Sequence, residues 1–212
     1  IISSPNCIAA IMLMPLAPLH RQFKIQRIVA STYQAASGAG AAAMHELEAE
    51  TRASLDHKPF QRTVMPHPYA FNLFAHNAPM TPTGYNEEEI KVFEESKKIL
   101  EFPLLRMAIT CIRVPVLRAH SVSLNVSFEA PAPPEIATNI LQNTPGVTLL
   151  EDWEQNRFPM PLDASGKDDV FVGRIRQDTS HPNTLDLWVV GDQLLKGAAL
   201  NTIQIAEHLL NI

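Results

Sequence analysis

The sequence predicts an α+β domain built on a mixed, partly antiparallel sheet. Apolar runs of strand length alternate with helix-forming runs, and neighbouring strand candidates are separated by short turns. No internal repeat or low-complexity tract competes with that reading. With 212 residues, 46% of them hydrophobic and 18% charged, the chain can bury a substantial core. Its net charge of −5 offers no basic patch for nucleic acid or an anionic membrane surface. Two cysteines about a hundred residues apart fit a reducing compartment better than a disulfide scaffold. The one sequon, Asn125-Val126-Ser127, lies in a strand-like run and reads as chance.

The elements follow in order. Pro5-Asn6 ends an extended start, because proline fixes φ and disfavours helix in the residue before it. Cys7-Ile8-Ala9-Ala10-Ile11-Met12 then opens a buried apolar helix. Pro5, Pro15 and Pro18 interrupt the apolar stretch Ile1–Leu19, leaving it too broken to cross a membrane, and it lacks a signal peptide's basic start. Ile1-Ile2-Ser3-Ser4 runs straight into the cysteine without an initiator Met, as in the C-terminal portion of a longer protein cut inside a strand. Lys24–Tyr33 is β-rich and leads through Ser37-Gly38-Ala39-Gly40 into a helix over Ala41–Leu55. Residues 58–86 hold five prolines and little periodicity, so they form a long irregular segment. Asn86 caps a helix over Glu87–Leu100, whose three opening glutamates suit its dipole. Strands are predicted at Arg106–Val116, Ser121–Phe128, Val147–Leu150, Asp169–Arg176 and Thr184–Val190. Helices are predicted at Glu135–Gln142 and, amphipathic, at Leu194–Leu210.

Five features bear on chemistry. Cys7 stands at a helix start, where free N–H groups and the dipole favour thiolate, although free cysteines are also common inert core residues. Gly38-Ala39-Gly40 fits the relaxed G-x-G-x-x-A dinucleotide fingerprint, but Asp56 falls at a helix end rather than a strand tip, so the match is poor. His45, His57, His67 and His76 have no metal-site spacing and read as surface or capping residues. Arg113, Arg118 and His120 interrupt an otherwise core-like stretch and either face solvent or converge on a pocket. Glu95 and Lys98 stand at i, i+3 and read as a solvated helix-surface pair.

Together these motifs resemble the aspartate-semialdehyde dehydrogenase family. The similarity runs in order through Pro5-Asn6-Cys7, Ser31-Thr32-Tyr33-Gln34-Ala35-Ala36-Ser37-Gly38-Ala39-Gly40 and Tyr69-Ala70-Phe71-Asn72. It continues through Cys111-Ile112-Arg113-Val114-Pro115-Val116, Ala119-His120-Ser121, Gly173-Arg174-Ile175-Arg176 and Gly191-Asp192-Gln193-Leu194-Leu195-Lys196-Gly197. The details look closest to the plant-like and bacterial branch, which implies a bacterial cytoplasm or a plastid stroma. The resemblance implies the fold of the glyceraldehyde-3-phosphate-dehydrogenase-like C-terminal domain, with a mixed, largely antiparallel sheet and helices on one face. Residues 1–190 would form the catalytic and dimerisation domain, and 191–212 a helix packing on an absent N-terminal Rossmann domain.

The resemblance also implies a reaction, in which a cysteine takes the acyl group of β-aspartyl phosphate as a thioester and NADPH reduces it to aspartate β-semialdehyde. Carried over by position, Cys7 is the nucleophile and His120 the acid/base. Gln34 orients the substrate, Arg113 clamps its carboxylate, Glu95 meets its amino group and Lys98 its phosphate. Ser37, Gly38 and Gln193 contact NADP, no metal is implied, and the protein would be a homodimer or homotetramer. Three departures from the family pattern imply tuned activity: Ser3-Ser4 before Pro5, Ile8-Ala9 in place of Ser-Thr after the cysteine, and Val122 in place of Glu. An N-acetyl-glutamyl-phosphate reductase shares the chemistry but not the Gln34 and Arg113/His120 motifs, and a silent oligomerisation module is the reading from another class.

Overall fold

The computed structural model describes residues 1–210. Helix α1, Cys7–Phe23, opens on Asn6, whose Oδ1 accepts the amides of Ile8 (2.8 Å) and Ala9 (3.4 Å). Residues 1–6 form no strand, and Pro15 and Pro18 lie inside a continuous helix instead of breaking it. Burial explains the tolerance, because Ile8, Ile11, Met12, Leu16 and Leu19 are all fully enclosed and tertiary packing outweighs the lost backbone bonds.

Strand β1 (Ile25–Gln34) leads through a tight turn at Ala36–Ala39 into α2 (Ala41–Leu55). A two-residue strand β2 (Phe74–Ala75) follows, then α3 (Glu87–Ile99), β3 (Arg106–Arg113), β4 (His120–Phe128) and α4 (Pro134–Gln142). The chain continues through β5 (Val147–Leu149), a single turn α5 (Pro161–Ala164), β6 (Val170–Gln177) and β7 (Thr184–Gly191). A π-helical turn at Leu195–Ala199 runs into α6, Leu200–Leu210. Because of that turn the last predicted helix is two pieces. Its expected extension over 211–212 lies outside the described residues.

The seven strands form one sheet in the order β2-β3-β1-β4-β7-β6-β5. Only β1/β3 and β5/β6 run parallel, so the sheet is mixed and largely antiparallel. Alternation decides its two faces. Ile28, Ala30, Ile109, Val122, Leu124, Leu187 and Val189 turn to α1, which shares this layer with α3 and α4. Val29, Ser31, Tyr33, Ile112 and Trp188 are only half-buried on the opposite face. No described helix is long and apolar enough to cross a membrane.

The irregular segment is held from α2 by two carboxylates one turn apart. Glu46 accepts the amides of Thr63 (2.5 Å), Val64 (2.8 Å) and Met65 (2.7 Å). Glu50 accepts those of Tyr69 (2.9 Å) and Ala70 (3.2 Å). A small second core of Ala36, Ala43, Leu47, Met65 and Tyr69 closes beneath them. Helix α2 therefore serves as a brace for the loop. It is not the second element of a dinucleotide unit, and Asp56 is merely its exposed C-cap.

Candidate active site

The start of α1 and the C-terminal ends of β1 and β3 meet at one edge of the sheet, where β4 begins. Register sets Gln34 beside Arg113, since β1 and β3 pair Thr32 with Cys111 and Gln34 with Arg113. His120 is the first residue of β4 and is fully buried. Arg113 and His120 are therefore both buried rather than turned to solvent. Ala119, directly before His120, is held at φ 73°. A non-glycine residue in that region is strained, and here its amide is tied to Gln193 Oε1 at 3.1 Å.

Cys7 is partly exposed, but burial raises its thiol to about 12, helped by the Glu88 carboxylate. The Ile8 amide and the Arg113 guanidinium pull the other way without prevailing. A thiol at a helix start alone was expected to favour thiolate; here desolvation by burial outweighs the helix-start amides. Gly197 closes the other side, and a Cβ there would lie 3.0 Å from Cys7 Cβ. Val122 is fully buried opposite Thr32 in the sheet, on the core face.

Gln34 accepts from Thr32 Oγ1 at 3.0 Å and donates from Nε2 to Glu88 Oε1 at 3.1 Å. Glu88 also takes Asn6 Nδ2 at 3.0 Å, which ties α3 to the cap beneath the thiol. Arg113 reaches Asn77 Oδ1 at 3.4 Å and Ala35 O at 3.5 Å. Tyr69 sends its hydroxyl to Gln34 O at 3.5 Å, and its buried phenol is pushed up to about 12. His76 follows β2 and has its pKa lowered to about 4 by burial and by Arg113.

Glu95 and Lys98 are not in this cleft. Glu95 accepts the Asn6 amide at 2.5 Å, and both side chains line a recess with Ser3, Pro5, Asn201 and Ile205. The cleft receives Glu88 instead. The reason is helical geometry: Glu88-x-x-Lys91 and Glu95-x-x-Lys98 lie on one stripe of α3, seven residues or about two turns apart. The resemblance had placed these roles about two turns further along the same stripe, at Glu95 and Lys98. The surface ion pair of α3 is Lys97–Glu94, at 3.0 Å.

Gly38, Ser37 and Gln193 sit beside His120. Gln193 Nε2 donates to Ser37 Oγ, and a Cβ on Gly38 would come within 2.8 Å of His120. A hydroxyl, an amide and a bare Cα suit the carboxamide and flat ring of a nicotinamide. No three His, Cys, Asp or Glu side chains among the described residues are grouped to hold a metal ion.

The sequence also gave no sign of the Arg118–Asp192 pair. Asp192 is fully buried at the end of β7 and meets Arg118 at 2.7 Å. It also accepts the amides of Gly166 (2.7 Å) and Leu194 (2.9 Å). Its carbonyl receives Gly197 N at 3.2 Å in the π-helical turn. The division expected at residue 190 therefore falls just before a segment that packs into the site.

Fold and cleft define a class: an α+β domain that presents a helix-start cysteine beside a buried guanidinium and imidazole. Residues 16–196 match the family model described as semialdehyde dehydrogenase, dimerisation domain. An aspartate-semialdehyde dehydrogenase of Synechocystis sp. is 54% identical over 99% of this chain and 62% of its own length. That of Bacillus subtilis is 42% identical over 99% of this chain and 63% of its own. Among solved structures, aspartate semialdehyde dehydrogenase II of Vibrio cholerae, complexed with ASA, superposes with TM-score 0.94 at 38% identity, covering 98% of this chain and 61% of that one. The enzyme of Candida albicans with NADP gives TM-score 0.70 at 25% identity over 96% of this chain and 56% of that one. The chain belongs to the semialdehyde dehydrogenase family. It spans about three fifths of the length of these relatives.

Proposed function

We propose that this chain is the acyl-transfer and dimerisation part of an NADPH-dependent aspartate-semialdehyde dehydrogenase, which reductively dephosphorylates β-aspartyl phosphate on the route to lysine, threonine and methionine. The observation that carries the reading is the meeting of Cys7, Gln34, Glu88, Arg113 and His120 at one edge of the sheet. Cys7 attacks the acyl carbon and holds the acyl group as a thioester, with phosphate leaving. Gln34 orients the acyl group, and the Arg113 fork takes the substrate's carboxylate. Glu88 meets its ammonium in the role expected of Glu95. Lys91, one turn further along the same stripe and close enough to act on His76, meets its phosphate in the role expected of Lys98. His120 serves the carbonyl oxygen.

NADPH, when bound, supplies the hydride; Ser37, Gly38 and Gln193 would hold its nicotinamide end, and a further domain packing on α6 would hold the rest. Support for that packing is the exposure of Ile203 and Leu209 on α6. The half-buried face carrying Tyr33 and Trp188 supports a homodimer joined sheet to sheet, in keeping with the family's description. Taken alone, the chain is expected to acylate and dimerise but not to turn over.

The test is NADPH oxidation by the full-length protein with β-aspartyl phosphate and with N-acetyl-γ-glutamyl phosphate. Turnover of the first alone is expected, with Cys7→Ala inactive and Arg113→Lys raising KM more than it lowers kcat. Normal turnover in Cys7→Ala would refute the thioester reading.

A further inference from the structure

His76 directly follows β2 and continues its pairing with β3. Phe74 pairs with Arg113 and Ala75 with Ile112, and His76 N then donates to Cys111 O at 2.8 Å. Opposed residues of an antiparallel pair share a face, so the His76 side chain projects on the same side of the sheet as Cys111 and Arg113. The capping box of α3 ties off both strands at this point. Asn86 Nδ2 donates to His76 O at 3.3 Å, and Glu89 Oε1 takes the Cys111 amide at 2.9 Å. The ring is thereby held where Arg113 of β3 and Glu88 and Lys91 of α3 all act on it, and where it acts in turn on His120.

The two ring nitrogens have separate work. Ala78 N donates to Nδ1 at 3.2 Å, and an amide can only donate, so the neutral ring carries its proton on Nε2. That Nε2–H makes no hydrogen bond among the described residues. The next residue places the guanidinium. Arg113 Nε donates to Asn77 Oδ1 at 3.4 Å and Nη1 to Ala35 O at 3.5 Å, which leaves Nη2 without a protein partner among the described residues.

We propose that His76 is a specificity-determining residue, its neutral Nε2–H donating to the substrate α-carboxylate that Arg113 receives. This rests on the functional reading above and deepens it by naming a second donor at the amino-acid end of the substrate. A carboxylate offers about four lone-pair sites, more than a guanidinium whose Nε is already engaged fills from one edge. A second cation here would face Arg113 and Lys91 whenever the site is empty, whereas a neutral N–H supplies the hydrogen bond without that repulsion. Burial first, and then Arg113, press the ring down to about 4, so it stays a neutral donor near pH 7. The phosphate end is the poorer target, because Lys91 acts on this ring less than Arg113 or Glu88 does.

Full-length protein carrying His76→Asn or His76→Gln separates this role from a structural one. Asn takes the Ala78 amide as Nδ1 does but is too short to carry a donor to the place of Nε2; Gln carries the donor there and gives up the Ala78 bond. Inhibition is measured with two non-reacting phosphonates, the isostere of β-aspartyl phosphate and the same molecule without its α-carboxylate. His76→Asn is expected to weaken the first by about tenfold or more and the second by less than about twofold, with His76→Gln recovering part of the loss. In turnover, His76→Asn should raise KM for β-aspartyl phosphate more than it lowers kcat. Equal losses for the two phosphonates, or a Gln variant weaker than the Asn variant on the first, would show that His76 only holds its loop and would overturn the proposal. A wild type that fails to turn over β-aspartyl phosphate overturns the functional reading and this inference with it. An active wild type whose discrimination is unchanged in His76→Asn overturns this inference alone.

Discussion

Gln34 Nε2 and Glu88 Oε1 lie 3.1 Å apart, and the same carboxylate oxygen takes Asn6 Nδ2 at 3.0 Å. One side chain of α3 thereby fixes both the Gln34 amide and the Asn6 cap beneath Cys7. It also opposes ionisation of Cys7. Under the function proposed above, a cationic substrate group at this carboxylate would remove that cost and couple binding to thiol activation.

Glu88→Gln should separate the two effects. Removing the charge lowers the barrier to thiolate, so Cys7 alkylation at pH 8 is expected to rise about three- to tenfold, up to one pKa unit. In the full-length enzyme kcat/KM should fall at least about tenfold, because the substrate's ammonium loses its partner. An unchanged alkylation rate would show that Glu88 does not govern the thiol.

Gly38→Ala and Gly197→Ala probe the two close approaches. At Gly38 the added methyl meets His120 at 2.8 Å and Arg113 at 3.0 Å, both of them buried. Overpacking of this kind costs about 1–3 kcal/mol, and turnover should fall by about two orders of magnitude as these side chains are displaced. At Gly197 the nearest atom is Cys7 Cβ at 3.0 Å, so a smaller loss is expected, seen chiefly in the rate of alkylation. Thermal melts and steady-state rates of the two variants check the ordering.

The sequence was most legible where pattern and burial agree. Alternation and caps placed β1, α2, α3 and β4 within a residue or so, because each has one apolar face and a clear terminal signal. Pro15 and Pro18 are held inside α1 because propensity is local and the burial of α1 is not. Glu46, Glu50 and Asp192 were unreadable as buried carboxylates, since their partners are backbone amides brought near only by the fold. At the site, Cys7, Gln34, Arg113 and His120 carry motifs that survive without coordinates. Glu88 does not, because helical periodicity gives a stripe and only tertiary packing gives the height along it.

Arg118→Ala should destabilise the domain more than a surface ion pair would. It leaves Asp192 buried without its cation, and breaking a buried pair from one side costs about 3–5 kcal/mol. For a chain of this size that is a drop in Tm of roughly 6–20 °C. The same change frees the Ala119–His120 corner, so turnover should fall further than stability alone dictates, and a Lys at 118 should recover part of both. A melt within 2 °C of wild type, roughly 1 kcal/mol or less, would contradict this.

Acidification should destabilise the fold in two stages, each tied to its own groups. His120 and His76 are held neutral, with pKa values near 3 and 4, by burial first and then by Arg113. The unfolded chain takes up their protons below about pH 6.5 and the folded one does not, so stability is complete above that pH and declines beneath it. Between pH 7.5 and 5.5 the loss is roughly 1.4 kcal/mol for each, and His76→Gln should remove its share. Glu46 acts lower. Burial works against its charge, but the amides of Thr63, Met65 and Val64 prevail and hold its pKa down. Its contribution is present above the ordinary carboxylate range and is lost as pH falls through the depressed value. The 58–70 loop should therefore become open to proteolysis only under strong acid, while Glu46→Gln should expose it at neutral pH. Denaturant titrations at several pH values measure the first stage, and limited proteolysis with an acid-active protease measures the second. A stability flat from pH 7.5 to 5.5 would contradict the neutral, buried imidazoles of His120 and His76.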